Sequence, residues 1–247
     1  FAAEHTWLHA MWTAEKLPQQ TQKIALLTDK LELANLANEA ASSLLDSLNE
    51  WQFHLMDAPE LASSEQDHET IWLWQDGIIP PELENLVHNT NIAAQALANN
   101  VSQLADALAA ARRDKDQDSS QIDRISTEFG LFVARTEQIA AVWQLIATAP
   151  SDDKEPLAKW ISRPQSDKID WTFHASPITA ATMLANKLFK RAAGAILTSA
   201  TLQSLGNFKL LLNQTGLTWL PQTTTLALKS PFNFAEQGEL YLPPVVA

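Results

Sequence analysis

Residues 198–201 read Thr-Ser-Ala-Thr, three hydroxyl side chains around one alanine, directly after the small apolar run Gly194-Ala195-Ile196-Leu197. Unaided hydroxyls are too weakly acidic to act as catalytic bases. A cluster of them can hydrogen-bond a carboxylate near a bound phosphate and pass its state to neighbouring loops, a coupling role rather than bond-making chemistry. A second set of chemically able residues is Lys229 and Ser230, ahead of Pro231-Phe232-Asn233-Phe234. Ser230, at the head of a strand, and Lys229 are candidate contacts to a nucleic-acid backbone, whereas Phe232 and Phe234 read as core. His5 and His9 are four apart, the spacing of two zinc ligands on one helix face. Glu4 precedes His5 instead of following it and no third ligand is evident, so no metal site is assigned.

The hydroxyls need a sheet edge to stand on. Residues 195–198 read as a short buried strand, and Ile169, Trp171, Phe173 and Ala175 alternate with polar neighbours as a strand does. Ser176-Pro177 can supply an N-cap and a first-turn proline for a helix over 178–191, which ends in Lys187, Lys190 and Arg191. Strand, helix and strand then form a right-handed β-α-β unit with two parallel strands. A further helix is expected near 208–214, ending at Gly216, with strands at 223–228 and 239–242.

The first 165 residues follow a different period. A short amphipathic helix is expected over 1–16, with Pro18 opening the next, which runs to about Leu55. Leu83, Val87, Thr90, Ala94, Leu97, Val101, Leu104, Leu108 and Ala111 alternate steps of four and three. So do Ile122, Ile125, Phe129, Phe132, Thr136, Ile139, Trp143 and Ile146. Such spacing gives the apolar seams of an antiparallel helix bundle. The polar linker 112–120 closes a helical hairpin, with Ser119 or Ser120 as cap. Between the long helices, Asp76-Gly77 marks a turn between apolar runs, a small hairpin or extended excursion in which Trp72 and Trp74 share one face and pack as core.

Charge divides the chain at the same place. Residues 1–150 carry 8 basic and 22 acidic side chains, residues 151–247 carry 9 and 7, and no Lys or Arg lies between Lys30 and Arg112. Phosphate contacts require cations, so any nucleic-acid contact is expected mainly in the C-terminal part, or in regions outside this segment. The chain has no cysteine, hence no disulfide framework, and no run approaches the 18 apolar residues of a membrane span. A cytoplasmic location fits this composition, and the start at Phe1 without a methionine reads as a fragment.

Thr198-Ser199-Ala200-Thr201-Leu202 resembles the third motif of superfamily 2 helicases. Together with Leu228-Lys229-Ser230-Pro231-Phe232-Asn233-Phe234, Glu236-Gln237-Gly238 and Phe173-His174-Ala175-Ser176-Pro177, it resembles the DinG/YoaA branch of the XPD-like DNA helicases. The resemblance implies four segments: 1–16, the end of a first motor-domain stretch; 17–165, the helical insertion called the arch; 166–216, the return of the first RecA-like motor domain; and 217–247, the start of the second. The fold class expected is therefore a long antiparallel helical bundle joined to part of an α/β RecA-like motor domain.

By the same resemblance, the parent protein uses ATP and Mg2+ and carries a 4Fe-4S cluster. It would move 5′ to 3′ on single-stranded or forked DNA in repair or replication, alongside a replication or repair protein partner. Thr198, Ser199, Ala200 and Thr201 would couple ATP to DNA. The departures are equally specific: no Gly is followed by Lys, no Asp-Glu pair exists, and the cluster's cysteines are missing. This segment by itself is expected to hold no catalytic residue and to be inactive. A different class of reading makes the acidic bundle a protein-docking module on an inactive or incomplete motor scaffold.

Overall fold

Four long helices form because their apolar residues fall on continuous faces. The computed structural model describes residues 3–61, 69–113, 119–150, 156–164, 170–229 and the positions 236, 238 and 241. Helix α1 spans Trp7–Thr28, α2 Leu31–Asp57, α3 Glu84–Ala111 and α4 Ser119–Ala147. The seams read from the sequence are the buried faces of α3 and α4. Leu97, Val101 and Leu104 are fully buried, as are Phe129, Phe132, Ile139 and Trp143 within a few per cent.

Polar contacts between the helices fix their directions. Trp7 Nε1, at the start of α1, donates to the Leu48 carbonyl late in α2 (2.8 Å). Trp51 Nε1, late in α2, donates to Thr90 Oγ1 early in α3 (3.0 Å). Gln95 of α3 donates to the Ala140 carbonyl of α4 (2.7 Å). Lys23, late in α1, pairs with Glu128, early in α4 (3.5 Å). Every neighbouring pair is antiparallel, giving an up-and-down bundle.

The expected break at Pro18 does not occur. Helix α1 continues through it and stops at Asp29, whose φ of 53° is left-handed. Proline deprives the Ala14 carbonyl of its helical partner, yet Leu17, Thr21 and Ile24 extend the buried face of Ala10, Thr13 and Ala14. Burial of that face outweighs the proline's local penalty.

At one end of the bundle lies an antiparallel sheet in the order β1-β4-β3-β2, from β1 (Ala3–Thr6), β2 (Glu69–Trp74), β3 (Leu157–Pro164) and β4 (Thr172–Pro177). Its inner face carries His5, Phe173, Ala175, Ile161, Lys159 and Trp74, all buried. Phe173 meets Trp143 and Trp51 at ring separations of 4.9 and 5.3 Å, joining sheet to bundle. The Asp76-Gly77 turn is present, with φ of 52° and 67°. A Cβ on Gly77 would sit 2.3 Å from the Leu157 carbonyl oxygen, so glycine is required there. It does not close a hairpin: β2 pairs with β3, more than 80 residues on in sequence. Trp72 and Trp74 share the inner face, as expected, in an edge-to-face pair at 6.2 Å.

The parallel β-α-β unit does not form among the described residues. β4 pairs antiparallel with both β1 and β3. Ser176 and Pro177 end that strand instead of opening a helix, and Ile169 lies outside the described residues. The expected helix over 178–191 contracts to α5 (Ala181–Met183), continued by a π-type stretch over Leu184–Phe189. Residues 195–198 adopt no strand, and Ile196 is 91% exposed. Residues 223–228 are likewise unpaired, with Leu226 and Leu228 exposed. A strand exists only through its ladder, and no described residue supplies one to either segment. Helix α6 (Lys209–Thr215) ends at a left-handed Gly216, as its sequence requires. Residues 239, 240 and 242 of the last expected strand lie outside the described residues. The chain falls into two compact units, Phe1–Thr179 and Ala180–Ala247.

Candidate functional site

Within the second unit, the hydroxyl cluster is set by a local turn. Ser199 Oγ accepts the Thr201 backbone N–H at 3.2 Å and lies 3.1 Å from Thr201 Oγ1. A serine side chain closing on the backbone two residues ahead is a local substitute for a backbone turn. Ser199 and Thr201 are therefore brought together, with Ala200 at the apex. All four residues 198–201 are exposed. They stand on irregular chain rather than at the end of a buried strand.

The chain then tightens. Ser204 and Asn207 exchange backbone hydrogen bonds of 2.9 and 3.1 Å across Leu205 and Gly206, whose φ values are 50° and 76°. Positive φ at both central residues is the signature of a type I′ turn. Asn207 Oδ1 accepts the Lys209 N–H (2.9 Å) at the start of α6. Beside this turn is an open groove of about 570 Å3, lined by Gln203, Asn207, Lys209, Asn213 and Thr218 among others. Its lining mixes amide, hydroxyl and ammonium groups, able to donate hydrogen bonds, with the apolar Phe208, Leu212 and Ala227. The helix expected near 208–214 is present as α6, but the groove has no local sequence signal, because it depends on Thr218, Thr225 and Ala227 folding back beside α6. Lys229 is exposed and has no ion-pair partner among the described residues. Ser230 lies outside the described residues, as do Phe232 and Phe234.

A second polar constellation, in the first unit, was not anticipated. His174 Nε2 lies 2.9 Å from Ser162 Oγ, and His174 Nδ1 lies 3.2 Å from Glu4 Oε2. Trp160 stacks on the imidazole at 4.7 Å. The order hydroxyl, imidazole, carboxylate is that of an activated nucleophile. Ser162, however, is 2% exposed, which closes its oxygen to any substrate. The set is a cross-strand tie through β1, β4 and β3, and its one trace in the sequence is the polar position of His174 between Phe173 and Ala175. Burial pushes the His174 imidazole below its ordinary value, against the opposing pull of Glu4 and Glu69.

His5 and His9 do not share a helix face. His5 sits in β1, its ring 5.4 Å from Phe173 and 5.9 Å from Trp143, and His9 lies in α1. Burial lowers the His5 pKa to about 4, so it is a neutral core residue. Among the described residues no group of three metal-ligating side chains converges. The chain has no cysteine to ligate an iron–sulfur cluster, and no Gly-Lys or Asp-Glu pair to cradle phosphates or hold their metal. Its own residues therefore do not fit those groups. No described helix is long and apolar enough to cross a membrane.

No family model matches the chain. Its curated relatives share one name. The chain is 27% identical over 243 residues to the ATP-dependent DNA helicase DinG of Photobacterium profundum, covering 96% of the chain and 33% of that protein. It is 31% identical over 121 residues to the ATP-dependent DNA helicase DinG of Escherichia coli K12, covering 49% of the chain and 16% of the relative. A Salmonella choleraesuis protein of the same name matches 51% of the chain at 31% identity. The chain is thus similar, over nearly its whole length, to a segment about a third as long as the Photobacterium DinG helicase.

Proposed function

We propose that the chain is the arch and third-motif portion of a DinG-type ATP-dependent DNA helicase. The observation that carries this reading is the similarity to the Photobacterium DinG helicase over 96% of the chain, which takes in the bundle and the Thr198–Thr201 cluster alike. Residues 17–165 form the arch insertion. Residues 1–16 and 166–216 belong to a first RecA-like motor domain, and 217–247 begin the second. The arch forms one wall of a DNA passage and helps part the strands, while Thr198, Ser199, Ala200 and Thr201 link nucleotide state to DNA contact. Lys229 and Ser230 touch the DNA backbone.

The longer protein hydrolyses ATP with Mg2+, carries a 4Fe-4S cluster on cysteines outside this segment, and moves 5′ to 3′ on single-stranded or forked DNA. It works in repair or replication in the cytoplasm. The unpaired segments 195–198 and 223–228 support this reading physically: each reads as a strand and leaves apolar side chains, Ile196 in one and Leu226 and Leu228 in the other, in solvent, which a further part of a motor sheet would cover.

The test is a graft. By itself the chain is expected to release no phosphate from ATP, because it lacks the groups that position and neutralise the transferring phosphoryl. Substituted for the matching third of the Photobacterium helicase, it is expected to support DNA-dependent ATP hydrolysis and unwinding. A folded graft that hydrolyses ATP without ever parting DNA strands would contradict the assignment.

A further inference from the structure

The solvent face of α2 combines two features that a solvated helix does not need together. Glu32, Glu39, Asp46, Glu50 and Asp57 are all exposed, at steps of seven, seven, four and seven. At 100° per residue these steps keep them on one face, a carboxylate stripe roughly 37 Å long at 1.5 Å per residue. Large apolar side chains are exposed on both flanks of the stripe: Leu36, 46%, on one, and Leu31, 64%, Phe53, 73%, and Met56, 59%, on the other. No Lys or Arg occurs anywhere from 31 to 111. The acidic members of the ion pairs among the described residues are Glu128, Asp123 and Glu4, none of them on α2. Asp46 and Glu50, four apart, therefore repel each other with no Lys or Arg within α2 to offset them.

We propose that this face of α2 docks a basic amphipathic helix from a partner protein. Lys or Arg side chains at heptad spacing would run along the carboxylates, and one bulky apolar side chain would cover Phe53 and Met56 near the C-terminal end. Charge complementarity selects this occupant. A nucleic-acid backbone is repelled by five carboxylates, and a second copy would bring the same acidic stripe against itself. Acids that steer the approach, with an apolar patch that holds the bound state, follow the usual division of labour at helix-on-helix interfaces. The proposal is independent of the helicase reading, because it uses neither nucleotide nor DNA.

The experiment titrates the whole chain against a fluorescent synthetic helix of about three heptads, with lysines on one face and Leu and Trp beside them, at about 0.15 M salt. A peptide of the same composition in scrambled order is the control. The ordered peptide is expected to bind at least about tenfold more tightly than the scrambled one. Asp46→Lys with Glu50→Lys is expected to weaken it about tenfold or more, and Phe53→Ser with Met56→Ser about fivefold, with helical circular dichroism unchanged in both. Equal binding of the two peptides, or no effect of the Phe53 and Met56 changes, would reduce the face to ion condensation and overturn the proposal. Displacement of the peptide by oligothymidylate would assign the face to nucleic acid and overturn it too. Loss of helicase activity in the graft would leave these readouts untouched.

Discussion

His5 carries the clearest pH signature of any single residue. It is 4% exposed between Trp143 and Phe173, and burial holds its pKa at about 4 against an ordinary 6.5. The unfolded chain binds a proton at this residue below about pH 6.5, whereas the folded chain resists until about pH 4. Its contribution is complete above 6.5 and is lost as pH falls from there to 4, on the order of 3 kcal/mol. His174 shifts in the same direction. Urea unfolding at pH 7.5 and 4.5 checks this: His5→Gln should flatten the acid loss by about 2–3 kcal/mol relative to the unaltered chain. An identical pH slope in the two proteins would place His5 in contact with solvent. Legibility at this scale was low. The Ser199–Thr201 pairing is a local turn, but the sequence reading placed these hydroxyls at the end of a buried strand and did not foresee it. The His174 tie depends on β1 and β3 flanking β4, a pairing that joins residues 4, 162 and 174 and that no local pattern encodes.

Among the elements, helices were far easier to read than strands. The α3 and α4 seams, the turn at Asp76-Gly77 and the Gly216 cap came through because 3.6-residue periodicity and left-handed backbone are local properties. Partners of strands are not local, which is why the segment around Asp76-Gly77 read only as a small hairpin or extended excursion, whereas β2 pairs with β3. Leu104 is fully buried in the α3 seam, so Leu104→Ala should cost about 2–5 kcal/mol through lost methyl burial and the cavity left behind. Leu26→Ala, at a position 84% exposed, should cost far less. Equal melting temperatures for the two variants would show the seam to be misassigned. Pro18 offers the opposite test. It sits inside α1, where it removes one helical hydrogen bond, so Pro18→Ala should stabilise the chain by about 1–3 kcal/mol. A loss of stability instead would mean that the proline starts a separate helix.

For the whole molecule, two kinds of surface need different covers. The first unit buries its core within itself: bundle and sheet meet at Trp51, Trp143 and Phe173. The second unit leaves Ile196, Leu226 and Leu228 in solvent on segments that read as strands. That contrast explains why the bundle was legible and the strands expected in the second unit were not. Apolar periodicity identifies a core only where other residues pack against it. On the helicase account, Ser199 and Thr201 transmit nucleotide state and do not perform hydrolysis. The decisive measurement is base pairs unwound per ATP consumed, in the grafted helicase carrying Ser199→Ala with Thr201→Ala. Lost hydrogen bonds of about 1 kcal/mol each can change coupling by one to two orders of magnitude. The account predicts that this ratio falls by roughly tenfold or more while nucleotide affinity and ATP turnover stay close to those of the unaltered graft. A ratio that holds constant while both rates drop together would place the hydroxyls in the hydrolysis step and contradict it.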